Sequence, residues 1–285
     1  MKIWSLVARR IEDGGWTGVC RFDAMLRRIF PSIRSVTGLP LLEDDDIVIA
    51  DNHLSLEVPR RIRTIVVHHG CAQTHFMRDP AWQNPHTHKI AALQKRMFHM
   101  PNRIWVAPSA WVADEFSKVI PNKFREIRVI PHWVDPIVLA SEKPARPVII
   151  GDWRDPNKGA TIWRKLADRN PQWEFRPLNF RDDAGRREQY GHASLYLSLS
   201  VSEGFNYAMA DAEAAELPIV TTDVGAYREF NDCEAFPWGK RDDVDYVATV
   251  IARKLTAGRQ KPSFYRQFTF DEWRGAWDQA VRAAA

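Results

Sequence analysis

Cysteine is scarce in this chain, and long apolar runs are missing from its sequence. Three cysteines among 285 residues, Cys20, Cys71 and Cys233, lie far apart and are odd in number, which excludes a disulfide framework and offers no metal-ligand spacing. No stretch approaches the roughly 20 apolar residues that cross a bilayer, and the apolar run at the start is too short for the core of a signal peptide. We therefore expect a protein of the reducing cytoplasm that meets any membrane peripherally, at its inner face.

Neither sign of charge dominates, so the composition is that of an ordinary globular protein. The 40 Lys and Arg residues against 36 Asp and Glu give a net charge of +4, and 45% of the residues are hydrophobic, which excludes disordered, collagen-like and fibrous classes. The first 140 residues hold 19 basic and 14 acidic side chains. Six arginines of that half form either a solvated face or a surface for phospholipid headgroups or a lipid-diphosphate acceptor. They are Arg27, Arg28, Arg34, Arg60, Arg61 and Arg63. Nucleic acid is not an expected partner, because no nucleic-acid-binding module is visible.

Short β-branched runs alternate with amphipathic segments along the whole chain. Runs without polar alternation are typical of strands buried on both faces, as in a parallel sheet. In the first half we predict such strands at 2–8, 46–50, 64–68, 104–107 and 127–130. In the second half we predict strands at 148–150, 173–176, 195–199 and 219–222, with helices over 161–169 and 242–255. The alternation predicts an α/β protein with two doubly wound Rossmann-like domains and a cleft between them.

A proline-rich segment suggests where the two domains meet. Residues 141–147, SEKPARP, hold two prolines and show no periodicity, so we place the boundary there. One domain is then predicted over 1–140 and the other over 141–262. A last helix is predicted within 263–285, because Thr269 and Glu272 form a capping box ahead of an apolar stripe.

The chemically most informative segment follows the predicted strand 195–199. Residues 200–225, SVSEGFNYAMADAEAAELPIVTTDVG, turn through Glu203 and Gly204 into an Ala-rich helix. A helix that begins near Asn206 presents unpaired backbone N–H groups and a positive dipole end, and Gly204 lets a diphosphate approach the backbone. A carboxylate beside such a site repels phosphate, so Glu203 is better suited to accept hydrogen bonds from sugar hydroxyls.

This segment resembles the nucleotide-binding signature of the GT-B glycosyltransferases, in particular the retaining glycosyltransferase family 4. The signature runs Glu-Gly-Phe, a helix, a second acid, a Leu-Pro turn and a closing Asp-Val-Gly. Gly204 and Phe205 match its Glu-Gly-Phe turn, and Glu203 takes the first acidic position. Asn206, where the helix begins, is predicted to contact the donor as well. Asp211 stands at the second acidic position, where the family usually has Glu, and the resemblance implies that it holds the ribose hydroxyls of the nucleotide.

A second match follows the predicted strand 148–150, in the segment GDWRDPNKG at 151–159. It is similar to the family's Gly-Arg segment followed by Lys-Gly, in which Arg and Lys grip the donor diphosphate. Lys158 matches that Lys, and charge-assisted hydrogen bonds from such a group are worth roughly 1.5–3 kcal/mol each. Asp152 occupies the expected Arg position and Arg154 lies two residues later. Arg154 is therefore either a phosphate ligand or an exposed loop residue.

In the first half the resemblance is carried by loops that follow predicted strands. Gly15, in a Gly-Gly-Trp turn, stands where the family has a glycine-rich loop near donor phosphate or acceptor, and a plain turn fits it as well. His69 matches the family's histidine that faces the sugar, where it would position the sugar and stabilise charge near the anomeric carbon. A structural histidine at a strand end is the alternative for His69. His53, at another strand end, is either an acceptor contact or a loop residue.

The resemblance implies a retaining, metal-independent hexosyltransferase with the GT-B fold, in which His69, Lys158 and Glu203 are catalytic. It would move a sugar from a UDP- or GDP-sugar to a hydroxyl of a saccharide or lipid-linked acceptor, in glycan, polysaccharide or glycolipid biosynthesis. The domain 1–140 would lie on the acceptor side, 141–262 would bind the nucleotide sugar, and the helix in 263–285 would cross back to the first domain.

The donor in such an enzyme is a substrate, so no cofactor is expected. No metal is expected either, because the Asp-x-Asp within 43–46 precedes a strand as a solvated loop and the histidines lack tight ligand spacing. Two alternatives stay open. One is another GT-B transferase or phosphorylase acting on a sugar phosphate, and the other is a catalytically inactive regulator that binds nucleotide sugars on the same fold.

Overall fold

The computed structural model divides the chain into two compact units. The residues described are 1–8, 17–78, 83–119, 126–138 and 144–285. The first unit joins Met1–Trp133 to Thr269–Ala285, and the second comprises Val134–Phe268. The divisions thus fall after residues 133 and 268, whereas the sequence predicts boundaries after 140 and 262. The earlier division has a structural reason, because Ile137 already pairs with the second unit through its backbone N–H, which donates to the Ala214 carbonyl at 3.2 Å.

The first unit contains a sheet whose described strands are all parallel. They are β1 (Ile3–Leu6), β2 (Arg34–Val36), β3 (Ile47–Asp51), β4 (Arg63–Val67), β5 (Arg103–Ala107) and β6 (Ile127–Val129). The strands pair in the order β2-β1-β3-β4-β5-β6. Its helices are α1 (Gly18–Ile29), α2 (Ala72–Arg78), α3 (Pro85–Met97) and α4 (Ala110–Val119), and a 3-10 helix spans Asn52–Glu57. The apolar runs of β3 and β4 occupy the middle of the sheet, where both faces are covered.

The second unit repeats this architecture. Its parallel strands are β7 (Val148–Gly151), β8 (Glu174–Pro177), β9 (Leu195–Ser198), β10 (Ile219–Thr222) and β11 (Cys233–Phe236). They pair in the order β11-β10-β9-β7-β8. Its helices are α5 (Ile162–Arg169), α6 (Asp183–Gly191), α7 (Tyr207–Ala214), α8 (Val244–Ala257) and α9 (Phe264–Gln267), and a 3-10 helix spans Pro156–Lys158. The α/β class with two doubly wound sheets is the one that the sequence predicts.

Each sheet reverses its strand order beside its first strand. In the first unit β2 and β3 lie on opposite sides of β1, and in the second unit β8 and β9 lie on opposite sides of β7. In open α/β sheets ligands bind at such a reversal, beyond the carboxyl ends of the two strands. In the second unit the loops after β7 and β9 meet this condition, and they carry Lys158 and Glu203. The reversal therefore places both predicted residues at the expected edge of the sheet.

Two edge strands, β2 and β11, and several helices, among them α3, have no counterpart in the sequence prediction. The sequences of β2 and β11, RSV and CEAF, contain one β-branched residue between them, so no β-branched run indicates a strand. Each lies at the end of its sheet, where pairing with one neighbour makes it a strand. The start of α3 does have a local signal, since Asn84 accepts a hydrogen bond from the Thr87 N–H at 3.0 Å and Pro85 takes the first helical position.

A buried carboxylate fixes α1 against the first sheet. Asp23 is fully buried and accepts hydrogen bonds from the Ser5 hydroxyl at 2.6 Å and from the Ser35 hydroxyl at 2.7 Å. Ser5 belongs to β1 and Ser35 to β2, so one side chain ties a helix to two strands. A buried carboxylate is costly without partners, and these hydroxyls offset that cost.

The last helix, α10 (Phe270–Ala284), packs on β4 and β5 of the first unit. Its start has the capping box that the sequence predicts: Thr269 and Glu272 each accept a hydrogen bond from the other's backbone N–H. The predicted apolar stripe is buried, and its Trp277 lies 5.4 Å from the ring of Phe22. The helix therefore belongs to the core of the first unit.

His68, directly after β4, points into an aromatic core. Its ring stacks on Phe98 and Trp105 with centroid distances of 5.2 and 5.4 Å, and Phe116 lies at 4.3 Å. Neither ring nitrogen has a hydrogen-bond partner among the described residues. Burial lowers the pKa of His68 to about 3, because a charged imidazolium is poorly stabilised among aromatic rings.

This buried imidazole makes the fold sensitive to acid. Between the ordinary histidine pKa and about 3, the unfolded chain binds a proton at His68 that the folded chain does not, so the free energy of unfolding falls as pH is lowered through this window. We expect His68→Phe to remove up to about 1.4 kcal/mol of that loss per pH unit. Urea unfolding of both proteins at pH 7 and pH 5 measures the difference. Equal pH slopes for the two proteins would contradict the prediction.

Candidate functional site

The loops after β7 and β9 approach each other closely because two glycines and an arginine allow it. A Cβ atom on Gly151 would lie 2.3 Å from a backbone carbonyl of β9, and one on Gly159 would lie 2.6 Å from the Cβ of Leu199. Gly159 also has a φ of +89°, which favours glycine. Arg241 then joins the two loops, since its Nη1 donates to the carbonyls of Asn157 and Leu199, both at 3.1 Å.

Lys158 and Glu203 form an ion pair where these loops meet. The Nζ atom of Lys158 lies 2.5 Å from Oε1 of Glu203 and 3.7 Å from Oδ2 of Asp152. The Ser200 hydroxyl donates to the same Glu203 oxygen at 2.7 Å. The two side chains are only 21% and 9% exposed, so the pair is less screened than a surface salt bridge. The structure thus brings together two of the predicted catalytic residues.

The surrounding charges keep Lys158 protonated. Burial on its own lowers the pKa of a lysine, but attraction to Glu203 and to Asp152 outweighs it and raises the pKa of Lys158 above its usual value. The side chain is therefore a cation throughout the neutral range. A partly exposed cation of this kind can exchange one anionic partner for another.

A chain of buried polar groups supports Glu203 from within the fold. The Ser198 hydroxyl lies 3.5 Å from that of Ser200 and accepts from the Asn206 amide at 3.3 Å. The Tyr196 hydroxyl donates to Oδ1 of Asn206 at 3.3 Å. The sequence prediction does not include Ser198 and Ser200, although their spacing of two along an extended segment places them on one side of the chain. The chain of hydrogen bonds fixes the orientation of Glu203.

The predicted donor-binding turn lies at the start of α7. Asn206 takes a left-handed conformation with φ of 61° and caps the helix, since its Oδ1 accepts from the Met209 N–H at 3.1 Å. Phe205 is buried against Phe230, and Gly204 is half-buried beside Gly225. Because the side chains of Phe205 and Asn206 pack inward, this turn offers a ligand mainly its backbone.

Asp211 lies in a buried ion pair. Its carboxylate is fully buried and contacts Arg186, whose Nη1 lies 2.6 Å from Oδ1. Arg186 also contacts Asp183 at 2.5 Å. The structure therefore gives Asp211 an internal partner, and a ribose contact would require this pair to open. Its ribose-binding role stays a prediction.

Arg154 lies on the outside of the loop after β7. Its side chain is 72% exposed, and its Nε lies 2.8 Å from Oδ1 of Asp152. Arg154 is thus held by the residue that takes the family's Arg position, and its role as a phosphate ligand also stays a prediction.

The first unit holds a second polar cluster at the carboxyl ends of its strands. Nε2 of His69 lies 3.2 Å from Oδ1 of Asp51, and Nδ1 of His69 shares a hydrogen bond with Nε2 of His132 at 3.3 Å. Asp51 ends β3, His69 follows β4, and His132 follows β6. Phe22 of α1 packs against both imidazoles. Whereas His68 points into the core, His69 lies at this polar edge, and its role towards a sugar stays a prediction.

Burial shifts the protonation of this cluster towards its neutral forms. It lowers the pKa of His69 more than attraction to Asp51 raises it, and it lowers the pKa of His132 well below the usual value. Burial likewise raises the pKa of the Asp51 carboxyl, against the attraction of His69 and His53. The two imidazoles are therefore suited to hydrogen bonding as neutral rings.

Gln94 of α3 holds the two loops of this cluster in place. Its side-chain amide donates to Oδ1 of Asn52 at 3.0 Å and to the Gly70 carbonyl at 2.8 Å, and its carbonyl accepts from the Ala72 N–H at 2.9 Å. The sequence prediction includes neither Gln94 nor His132. A buried glutamine on a helix gives no local signal of this kind, because its partners are 22 to 42 residues away.

Two further predicted positions give little information on the site. Gly15 lies outside the described residues. His53 is half-buried in the 3-10 helix after β3, and burial lowers its pKa more than Asp51 raises it. Within the described parts of the chain, no group of three or more His, Cys, Asp or Glu side chains could hold a metal ion. In those same parts, no helix combines the length and the apolar character needed to span a bilayer.

The position of Glu203 depends on Gly225, after β10. Gly225 has a φ of +74°, and a Cβ there would lie 2.7 Å from the Cβ of Glu203. We expect Gly225→Ala to lower the free energy of unfolding by about 1–3 kcal/mol and to displace Glu203. Gly275→Ala is the matched control, because no atom lies within 4 Å of its added Cβ and alanine favours a helix. Urea unfolding compares the variants, and equal stability of Gly225→Ala and the wild type would refute the expected clash.

Comparisons with known proteins bear on the family and the fold of the chain. Residues 123–255, which include Lys158 and Glu203, match the model of the family described as Glycosyl transferases group 1. Over 158 residues the chain is 27% identical to "Putative glycosyltransferase ORF313" of Acidianus filamentous virus 1 (isolate United States/Yellowstone), covering 47% of this chain and 49% of that protein. The chain thus spans about half the length of this curated relative.

Two solved structures cover nearly the whole chain. Alr3699/HepE of Anabaena, in complex with UDP and glucose, has a TM-score of 0.65 at 13% identity and covers 99% of this chain and 100% of that one. WaaG, a glycosyltransferase involved in lipopolysaccharide biosynthesis, has a TM-score of 0.60 at 11% identity, with 99% and 98% covered. The predicted resemblance and the predicted enzyme class, a glycosyltransferase, agree with all three comparisons. The chain has the GT-B fold, and its residues 123–255 match glycosyl transferases group 1.

Proposed function

We propose that this chain is a retaining, metal-independent glycosyltransferase that moves a sugar from a nucleoside diphosphate sugar to an acceptor hydroxyl. The observation that carries the proposal is the Lys158–Glu203 pair at the strand-order reversal of the second unit. A permanent cation and a carboxylate lie there side by side, next to the start of a helix. These are the groups that a donor with a charged diphosphate and a hydroxyl-rich sugar requires.

Lys158 is the group that neutralises the diphosphate. Its raised pKa keeps it charged, and hydrogen bonds from a cation to phosphate strengthen as charge grows on the departing diphosphate. The backbone N–H groups at the first turn of α7 add a second favourable interaction from the same edge of the sheet. Donor binding then exchanges one of the anionic partners of Lys158 for phosphate.

Glu203 is better placed for the sugar than for chemistry on the anomeric carbon. Ser200 and Lys158 fix its Oε1 from one side, so its orientation is set before any ligand arrives. A carboxylate so fixed accepts hydrogen bonds from sugar hydroxyls with little loss of side-chain entropy. In the proposed front-face reaction the departing diphosphate takes the acceptor proton, and no carboxylate nucleophile is needed.

His69 is the residue of the first unit to which the family pattern assigns contact with a sugar. Neutral imidazoles donate and accept hydrogen bonds without binding a competing anion, and Asp51 and His132 set the orientation of the His69 ring. We assign the acceptor to this unit and the donor to the second. This division follows the sequence resemblance, with the unit boundaries taken from the structure.

The solved relatives support the class of donor and acceptor. The HepE structure contains UDP and glucose, which favours a UDP-hexose as donor, with a GDP-sugar as the second candidate. WaaG acts in lipopolysaccharide biosynthesis, which favours a saccharide or lipid-linked acceptor and polysaccharide or glycolipid biosynthesis. We propose a cytoplasmic enzyme that meets the inner face of a membrane through the basic residues of its first unit. The donor is a substrate, and no cofactor is proposed.

One observation favours a second function, a regulator that binds nucleotide sugars without turnover. Asp211 is buried against Arg186, and Arg154 is held by Asp152, so two groups that the family pattern assigns to the donor have other partners. A protein that keeps the fold and Lys158 but has lost these contacts could bind a donor weakly and transfer nothing.

Lys158→Ala should reduce sugar transfer more than tenfold. The reason is the loss of the cation that stabilises the departing diphosphate. Initial rates of nucleoside diphosphate release, with a melting curve to show that the variant is folded, measure the effect. Lys158→Gln is the second variant, because it keeps a polar group beside Glu203. Lys165→Ala, at an exposed position of α5, is the control. Unchanged activity of both Lys158 variants would remove Lys158 from the mechanism.

A panel of UDP- and GDP-sugars with candidate acceptors distinguishes the two functions. A thermal-shift screen first identifies the base, since a ligand at a hundredfold its Kd stabilises a protein by about 2.7 kcal/mol. We then expect acceptor-dependent release of free nucleoside diphosphate from one donor. Binding of a nucleotide sugar without release, with every acceptor tried, would favour the regulator.

A further inference from the structure

Asp152 lies between the two cations of the proposed donor site. Its Oδ1 is 2.8 Å from Nε of Arg154, and its Oδ2 is 3.7 Å from Nζ of Lys158. It directly follows β7, at the strand-order reversal, and its side chain is mostly buried. One carboxylate therefore contacts both positive groups of the loop.

These contacts cancel the positive charge of the loop. Lys158 and Arg154 carry two positive charges, and Asp152 and Glu203 carry two negative ones, so these four side chains are neutral together. A diphosphate is attracted by the two cations and repelled by the two carboxylates that contact them. Coulomb interactions between unit charges a few ångströms apart are strong where the charges are only partly exposed to water. A single carboxylate in this position thus has a large effect on anion affinity.

The two carboxylates are not equivalent. Glu203 contacts Lys158 at 2.5 Å and is tied to Ser200, so it belongs to the rigid inner side of the site. Asp152 holds Arg154 on the outer side, where that arginine is largely exposed and able to turn. Neutralising Asp152 leaves the Lys158–Glu203 pair intact and removes the charge attraction that holds Arg154. We therefore expect neutralisation of Asp152 to strengthen the binding of a nucleoside diphosphate, whereas the loss of a ligand contact would weaken it.

We propose that Asp152 is an affinity-setting residue that weakens the hold of this site on the nucleoside diphosphate. The proposal rests on the proposed function, since it concerns the same donor site. Weaker binding would benefit turnover. An enzyme that neutralises a leaving diphosphate must afterwards release it, and product release often limits the rate. The negative charge of Asp152 reduces the net positive charge of the site, and so weakens its attraction for the nucleoside diphosphate product.

Asp152→Asn tests the proposal with little change in shape. The amide oxygen can still accept from Arg154, so the main change is the loss of one negative charge. We expect the Kd for UDP, or for GDP if that is the nucleotide bound, to fall at least fivefold in calorimetric titrations with EDTA present. The gain should shrink as salt is raised, because screening weakens charge interactions. Asp152→Ser, which also lacks the charge, should shift the Kd in the same direction.

Asp155→Asn is the matched control, since it removes the same charge from an exposed position of the same loop. We expect it to change the Kd less than twofold. Two results with a wild type that binds nucleotide would overturn the proposal and leave the donor site in place. Equal binding by Asp152→Asn and Asp152→Ser would mean that Asp152 does not affect the affinity. Weaker binding by both variants would mean that Asp152 contacts the donor. An equal gain from Asp155→Asn would also overturn it, because the effect would be one of net charge. Absence of binding by the wild type and by every variant would overturn both this proposal and the proposed function.

Discussion

Two loops of the second unit are arranged around the ion pair of Lys158 and Glu203. Its two residues come from loops that follow different strands, so the loops must approach more closely than side chains would allow. Gly151 and Gly159 permit the approach on one side, and Gly225 permits it on the other. A mostly buried pair repays its desolvation only with good geometry and additional hydrogen bonds, which Ser200 supplies. The arrangement is therefore costly to build for stability alone, and a role in binding accounts for it better.

The parts of this fold that the sequence predicts are those with a local cause. The strands β7, β9 and β10 are predicted within a residue or so of their bounds, because short apolar runs without polar alternation are typical of strands buried on both faces. Lys158 and Glu203 are also predicted, since each belongs to a short loop signature that fixes its position relative to a strand. The edge strands β2 and β11 lack such a local cause and are missed. Pairing with a neighbouring strand determines them, and their own residues do not.

Contacts between distant segments are what the sequence does not reveal. Asp211 meets Arg186 because α6 and α7 lie on one side of the sheet, and nothing near either residue indicates the other. The cluster of Asp51, His69 and His132 depends on the strand order of the first sheet, which brings three strand ends to one edge. Residue types at strand ends were therefore predictable as candidates, but their partners and protonation were not.

The two polar clusters differ in how the charges of their partly buried side chains are compensated. Both lie at the carboxyl ends of parallel strands, where backbone carbonyls end and charged side chains are only partly hydrated. In the second unit two cations are balanced by two carboxylates. In the first unit burial lowers the pKa of His69 and of His132 and raises the pKa of the Asp51 carboxyl, so each group is shifted towards its neutral form. Each cluster thus presents directional hydrogen-bonding groups with little net charge, which fits the proposed recognition of a sugar through its hydroxyls.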